Sequence, residues 1–271
     1  MNAYTAMSYR EIASRYNAIN ALPPHAAFQA GSAIARYARG EWLLDLGAGA
    51  GRLGIPAALA GCRVVALDLE LAMLRAGQRE ADLQAVELPS LQADAVCLPL
   101  RDNSFDAVMI NNVLHLVPRW ETVLIEAVRV MRPGGVLIQG RDWLDPQSCA
   151  GRIRAKWREI VAALRPDMRP TSAAGPTLVQ TLARMGGQIE AEILAAEWTE
   201  CLSPARILHR MRQRMHNETW ALSDDVLAAG LDMLEPWMRT TFDDLHAEED
   251  VAWRFVLTVT YQLKPARTGA M

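Results

Sequence analysis

From about Ile12 the apolar positions recur at helical spacing as far as Ala38, and then close into a continuous run, Trp42-Leu43-Leu44-Asp45-Leu46, that stops in glycine. The run predicts a buried strand. The pattern then repeats: helical spacing from Arg52, an apolar run Val64-Val65-Ala66-Leu67-Asp68, helical spacing from Leu71, and a short third strand ending near Asp94. A fourth strand is predicted over Phe105 to Ile110 and a fifth over Val136 to Gly140, with an amphipathic helix from Glu121 to Arg132 between them and Pro133-Gly134-Gly135 as its stop. Strands alternating with helices make βαβ units, and these require a parallel sheet covered on both faces.

Beyond Asp142 the rhythm changes. Helices are predicted over Arg152 to Leu164 and Thr177 to Met185, separated by a Pro-rich loop from Arg165 to Gly175, and a sixth strand over Ile189 to Trp198. Ser203-Pro204 reads as an N-cap with proline in the first turn of a helix reaching Asn217, and Ser223 opens another reaching Thr241. A last strand is predicted from Trp253 to Leu263.

Composition narrows the chemistry. With 51% hydrophobic and 22% charged residues over 271 positions, the chain can bury a sizeable core and is too apolar to be disordered. A net charge of -3 argues against a basic nucleic-acid-binding domain. Lysine occurs only at Lys156 and Lys264, so no G-x-x-x-x-G-K-[ST] phosphate loop can be written. Cys62, Cys97, Cys149 and Cys201 lie far apart without a C-x-x-C, which predicts neither a metal cluster nor a disulfide framework. Met1 to Arg15 has no apolar leader core, and no 18-residue apolar stretch occurs anywhere, so a cytoplasmic protein with no membrane partner is expected.

The segment Leu43-Leu44-Asp45-Leu46-Gly47-Ala48-Gly49-Ala50-Gly51-Arg52-Leu53-Gly54 runs from strand through a glycine-rich turn into a helix. Bare backbone lets a ligand approach closely, although a tight strand-to-helix turn alone would also use glycine. The dinucleotide fingerprint G-x-G-x-x-G needs glycine where Arg52 stands, which disfavours a nicotinamide or flavin enzyme. The acidic-x-G-x-G-x-G pattern resembles the first motif of the class I, Rossmann-like S-adenosylmethionine-dependent methyltransferases. The resemblance continues in order through Val64 to Leu69 with Met73-Leu74, Ala93 to Leu100 with Asp102 to Asp106, Asn111 to Leu116, and Arg132 to Leu137. It covers about residues 40 to 140.

That resemblance implies a seven-stranded, mostly parallel sheet with an antiparallel last strand and helical cap insertions. Residues 1–145 would be the cofactor-binding core with its N-terminal helix. Residues 146–271 would supply cap helices and closing strands of the same sheet, with an insertion at about 203–250 over the substrate opening. It implies S-adenosyl-L-methionine as cofactor, bound by Asp45 at the first strand's tip, with Gly47, Gly49 and Gly51 at its methionine portion, Asp68 and Leu69 at ribose and adenine, Asp94 and Ala95 at the adenine edge, and the Asn111 backbone at the amino group. An Asp at a strand end can equally cap the next helix. His115 is the candidate general base, and a pocket-shaping role is its alternative. Tyr16 resembles a tyrosine that closes over the cofactor and has helix packing as its alternative; Arg141 and Trp143 are candidate substrate contacts, with a strand-end ion pair as the plainer reading of Arg141.

Met211, Met215, Trp220, Met233, Trp237 and Met238 would suit an apolar substrate, but stripes at helical spacing are core packing more often than pocket lining. Arg206, Arg210, Arg212 and Arg214 face nine acids between Ser223 and Asp250, which predicts pairing between helices. The expected activity is methyl transfer to O, N or C of a small, partly apolar molecule. Methylation of RNA or protein is the rival; against base methylation, Ile110-Asn111-Asn112-Val113 lacks [DN]-P-P-[FYW]. A third reading is a cofactor-binding protein that transfers no methyl group.

Overall fold

A computed structural model describes residues 9–39, 41–166, 175–215, 217–220 and 222–264. The chain runs α1 (Tyr9–Ile12), α2 (Tyr16–Asn20), α3 (Pro24–Ala38), β1 (Trp42–Leu46), α4 (Gly54–Leu59), β2 (Arg63–Asp68), α5 (Leu71–Leu83), β3 (Ser90–Gln92), β4 (Phe105–Asn111), a 3-10 turn (Leu114–Leu116), α6 (Trp120–Val130) and β5 (Met131–Leu144). It continues with α7 (Cys149–Leu164), α8 (Gly175–Arg184), β6 (Gln188–Leu202), α9 (Pro204–Arg212), α10 (Asn217–Trp220), α11 (Asp224–Thr241) and β7 (Glu249–Tyr261).

The strands form one seven-stranded sheet in the order β3-β2-β1-β4-β5-β7-β6. β1 to β5 are parallel, and β7 runs antiparallel between β5 and β6, so the Rossmann-like fold expected from the sequence is the fold observed. Among the described residues no helix is long and apolar enough to cross a membrane.

Two compact units interleave along the chain. The larger takes described residues of 13–141, 171–196 and 255–264; the smaller takes those of 9–12, 142–166 and 197–254. β5, β6 and β7 divide their residues between the two. In the larger unit, Leu44, Leu46, Val108, Ile110, Val123, Leu124 and Leu137 make a core between the sheet and α6. In the smaller unit, Ile153, Trp157, Ile207, Met211, Leu234 and Met238 make a second core. Met211 and Met238 are therefore packing residues, while Met215 and Met233 are exposed.

The helical spacing from Ile12 to Ala38 is cut into three helices rather than one. Pro23 and Pro24 lack amide hydrogens and disfavour helix in the residue before them; Pro24 is tolerated as the first residue of α3. α6 stops at Val130, and β5 starts earlier than the Pro-Gly-Gly turn suggests. Met131 pairs with Phe105 and Val136 with Ala107, so the extra residues bulge out of the ladder. β5 also continues through Arg141 and Trp143, which belong to the strand instead of leaving it.

The helix from Pro204 ends at Arg212, short of the Asn217 expected. Arg214 takes a left-handed φ of 53°, and its guanidinium binds the carbonyls of Thr219 and Leu222 at 2.6 and 2.8 Å. Ser203 caps α9 through Oγ, which accepts the Arg206 amide at 3.3 Å. Ser223 begins α11 without such a bond, because its hydroxyl is engaged by the Asp225 carboxylate. The expected pairing appears: Arg212 with Glu235, and Arg214 with Asp224 at 2.6 Å. Arg210 instead reaches Glu200 on β6 at 2.7 Å.

Candidate functional site

All of the glycine-rich turn lies in the larger unit, between β1 and α4. Gly47, Gly49 and Gly51 have φ of 78°, 56° and 79°, left-handed values that side-chain-bearing residues seldom adopt. Gly47 also has no room for one: a Cβ there would lie 1.9 Å from Val113 Cγ2. Val113 is brought there by Asn112, which turns the chain out of β4 at a φ of 54°.

Hydrogen bonds knit the strand tips together. The amides of Gly47 and Ala48 donate to the Leu67 carbonyl at 2.7 and 3.0 Å, joining the turn to β2. The Gly49 amide donates to Asp68 Oδ2 at 2.8 Å and the Glu70 amide to Asp68 Oδ1 at 2.9 Å. Beyond β2, the Ala93 amide donates to the Asp68 carbonyl at 3.1 Å, so the segment carrying Asp94 and Ala95 is anchored beside the same tip. Asp94 is exposed, and its Oδ1 accepts the Val96 amide at 3.0 Å.

The two acids of the turn differ in environment. Asp45 is 4% exposed and accepts the Gly54 amide, with burial and the nearby Asp68 carboxylate pushing its pKa up to about 7. Burial also raises Asp68, opposed by the amides of Glu70, Gly49 and Leu69. Asp68 is only half-buried, and Leu69 beside it is 67% exposed.

Asn111 ends β4 opposite Gly140, and its buried Oδ1 has no hydrogen-bond partner among the described residues. His115 lies in the 3-10 turn that follows Val113, and partial desolvation of its ring holds the imidazole below its ordinary pKa. A Cβ at Gly49 would meet Tyr16 Cε1 at 4.0 Å, which brings α2 against the turn. Arg141 is exposed and paired with Glu192 at 2.9 Å, the strand ion pair that was its plainer reading. Trp143 belongs to the smaller unit, where the Arg254 guanidinium stacks 4.7 Å above its ring.

Two contacts at the turn were given no role from the sequence. Asn17 Nδ2 donates to the Ala50 carbonyl at 2.9 Å. On α5, a Cβ at Gly77 would lie 3.1 Å from the Ala50 carbonyl carbon, so that helix approaches the turn with bare backbone. A glycine inside a helical pattern is a readable sign of such an approach; nothing local marks Asn17. Arg52, where a dinucleotide fingerprint would have glycine, lays its guanidinium 5.8 Å from the Phe255 ring.

Bare backbone at Gly47 and Gly49, a half-buried carboxylate with spare lone pairs beside an exposed apolar side chain, and an unpartnered buried acceptor at Asn111 fit an adenosyl group carrying a methionine tail. Comparison with known proteins agrees. Residues 44–139 match the family described as methyltransferase domain. Over 144 residues, 53% of this chain and 58% of the relative, the sequence is 35% identical to a demethylmenaquinone methyltransferase of Renibacterium salmoninarum. The chain spans about half the length of the curated relatives it matches. Among solved structures, the YcgJ protein of Bacillus subtilis superposes with a TM-score of 0.58 at 14% identity, covering 89% of this chain and 99% of that one. The 4+2 cyclase SpnF gives 0.54 at 16% identity over 97% and 100%. At those identities the likeness shows the fold alone.

Proposed function

We propose, from the match of residues 44–139 to the family described as methyltransferase domain, that this protein is a class I S-adenosylmethionine-dependent enzyme and transfers a methyl group from that cofactor to a small molecule. The observation that carries the reading is the glycine turn bonded both to the tip of β2 and to its carboxylate, Asp68. The bound sulfonium supplies the methyl group. Gly47, Gly49 and Gly51 leave backbone open to its methionine portion. Asp68 accepts from the ribose hydroxyls, since each carboxylate oxygen has a lone pair beyond the amide it already binds. Leu69 gives the adenine an apolar surface, Asp94 and Ala95 its edge, and the Asn111 backbone meets the ammonium. Asp45, buried against the Gly54 amide, acts by holding the turn on α4.

Methyl transfer from a sulfonium loses charge as the transition state forms, so alignment outweighs acid catalysis; fixed geometry is worth about 7 to 11 kcal/mol. His115, held neutral at pH 7 by its lowered pKa, takes the proton when the accepting atom carries one. Tyr16 covers the cofactor from α2. The substrate-binding roles of Arg141 and Trp143 belong to the same proposal. A small-molecule acceptor is supported by the relative named for demethylmenaquinone.

Calorimetry with S-adenosylhomocysteine is the first test. The parent binds, and Asp68→Ala weakens binding by at least about tenfold, the equivalent of ~1.4 kcal/mol. No binding by the parent sinks the proposal. Methyl-labelled cofactor with quinone, phenol and amine acceptors then separates methyl transfer, which releases S-adenosylhomocysteine, from binding without transfer.

A further inference from the structure

We propose that Asn17 is a positioning residue of the cofactor site, a clasp through which α2 presets the glycine turn. The inference rests on the cofactor reading above. Asn17 Nδ2 donates to the Ala50 carbonyl at 2.9 Å, from a helix 33 residues away in sequence. Ala50 is buried, and on its other side Gly77 brings the α5 backbone so near that a Cβ would stand 3.1 Å from the Ala50 carbonyl carbon and 3.3 Å from the Gly51 nitrogen. The Ala50–Gly51 peptide is thus fixed between two helices at the point where left-handed glycines flank Ala50 on both sides.

The other end of the same amide carries the argument further. Asn17 Oδ1 is buried with no hydrogen-bond partner among the described residues. A buried acceptor left unpaired weakens the fold, and side chains chosen for stability alone are not expected to leave one. An apolar residue of the same size would remove that cost and leave the buried Ala50 carbonyl without its donor instead. What Asn17 supplies in return is the donor to Ala50, whose effect falls on the conformation of the turn. Tyr16, the neighbouring residue of α2, meets the turn at Gly49, so the short helix grips two consecutive positions.

The test exploits this split between stability and affinity. Asn17→Leu, close in volume but without polar atoms, removes one unpaired acceptor and leaves another, the Ala50 carbonyl, so the melting temperature of the ligand-free protein is expected to change little. Its Kd for S-adenosylhomocysteine should rise about tenfold, the effect of one lost hydrogen bond on a preset site. Hydrogen exchange at the Gly49 to Gly51 amides should quicken in the same ligand-free variant. Asn17→Asp, which keeps the shape and loses the donor, should show the same rise in Kd and the same faster exchange. Parent binding with unchanged Kd in both variants overturns the inference alone, as does a loss of affinity that merely tracks a lowered melting temperature. A parent that binds no S-adenosylhomocysteine removes the cofactor reading and this inference with it.

Discussion

A carboxyl group sealed under a turn is a liability at neutral pH, and Asp45 is such a group. In the folded protein it holds its proton up to about pH 7, while in the unfolded chain it ionises near its ordinary 3.8. Between those values the folded state binds the extra proton, so this group's contribution to stability is full below its unfolded value and is lost as pH rises to about 7, by about 4 kcal/mol over the whole window. Asp68, shifted the same way, adds to the decline. Urea unfolding at pH 5 and pH 8 should show it. Asp45→Asn, which keeps an acceptor for the Gly54 amide and cannot ionise, should flatten the dependence, and an unflattened curve would assign it elsewhere. Gly47→Ala tests the turn itself: a left-handed φ of 78° and a methyl 1.9 Å from Val113 Cγ2 should cost at least about 1 to 3 kcal/mol in unfolding. Cofactor affinity should fall with it, and an alanine variant that unfolds and binds like the parent would contradict this packing. At this scale the acids and glycines were readable because their chemistry is written in consecutive residues. Asn17 was not, because its partner at Ala50 is set by how the chain folds back.

Among elements, α7 and α11 show how packing overrides propensity. Gly230 sits inside α11, where alanine would ordinarily favour the helix by about 0.5 to 1 kcal/mol. Here a Cβ would stand 2.8 Å from two ring carbons of Trp157, a side chain that is itself 1% exposed and cannot retreat. Gly230→Ala should therefore destabilise the protein, by about 1 to 3 kcal/mol. Chemical denaturation gives the sign directly, and a stabilised variant would mean that the ring has space to move. Most elements were legible from period and caps: β1, β2 and α5 fall where the apolar runs put them, since a buried parallel strand has little choice of residue. Ends were less so. α6 gives way to β5 at Met131 because pairing with Phe105 captures a residue that helical spacing would have kept. The early stop of α9 depends on Arg214 reaching carbonyls that follow it in sequence, a contact that no window of hydrophobicity contains.

For the molecule as a whole, the fold class was legible because five motifs in order over one stretch constrain topology more than any of them constrains a residue. What lies after Asp142 was less legible, since its residues are chosen to fill a second core and carry no repeated chemistry. S-adenosylhomocysteine at a hundred times its Kd should stabilise the protein by about 2.7 kcal/mol, visible as a melting temperature higher by several degrees. A thermal scan with no shift at that concentration would count against the cofactor reading. The sheet's outermost strand has a different consequence. β6 runs from Gln188 to Leu202 and carries Glu190, Glu192, Glu197 and Glu200, with Glu192 kinked at a φ of 62°. A long bare border of amides and carbonyls is a template for runaway aggregation into fibres. Here a second molecule lying along it would lose its ladder at the kink, so this border discourages self-stacking.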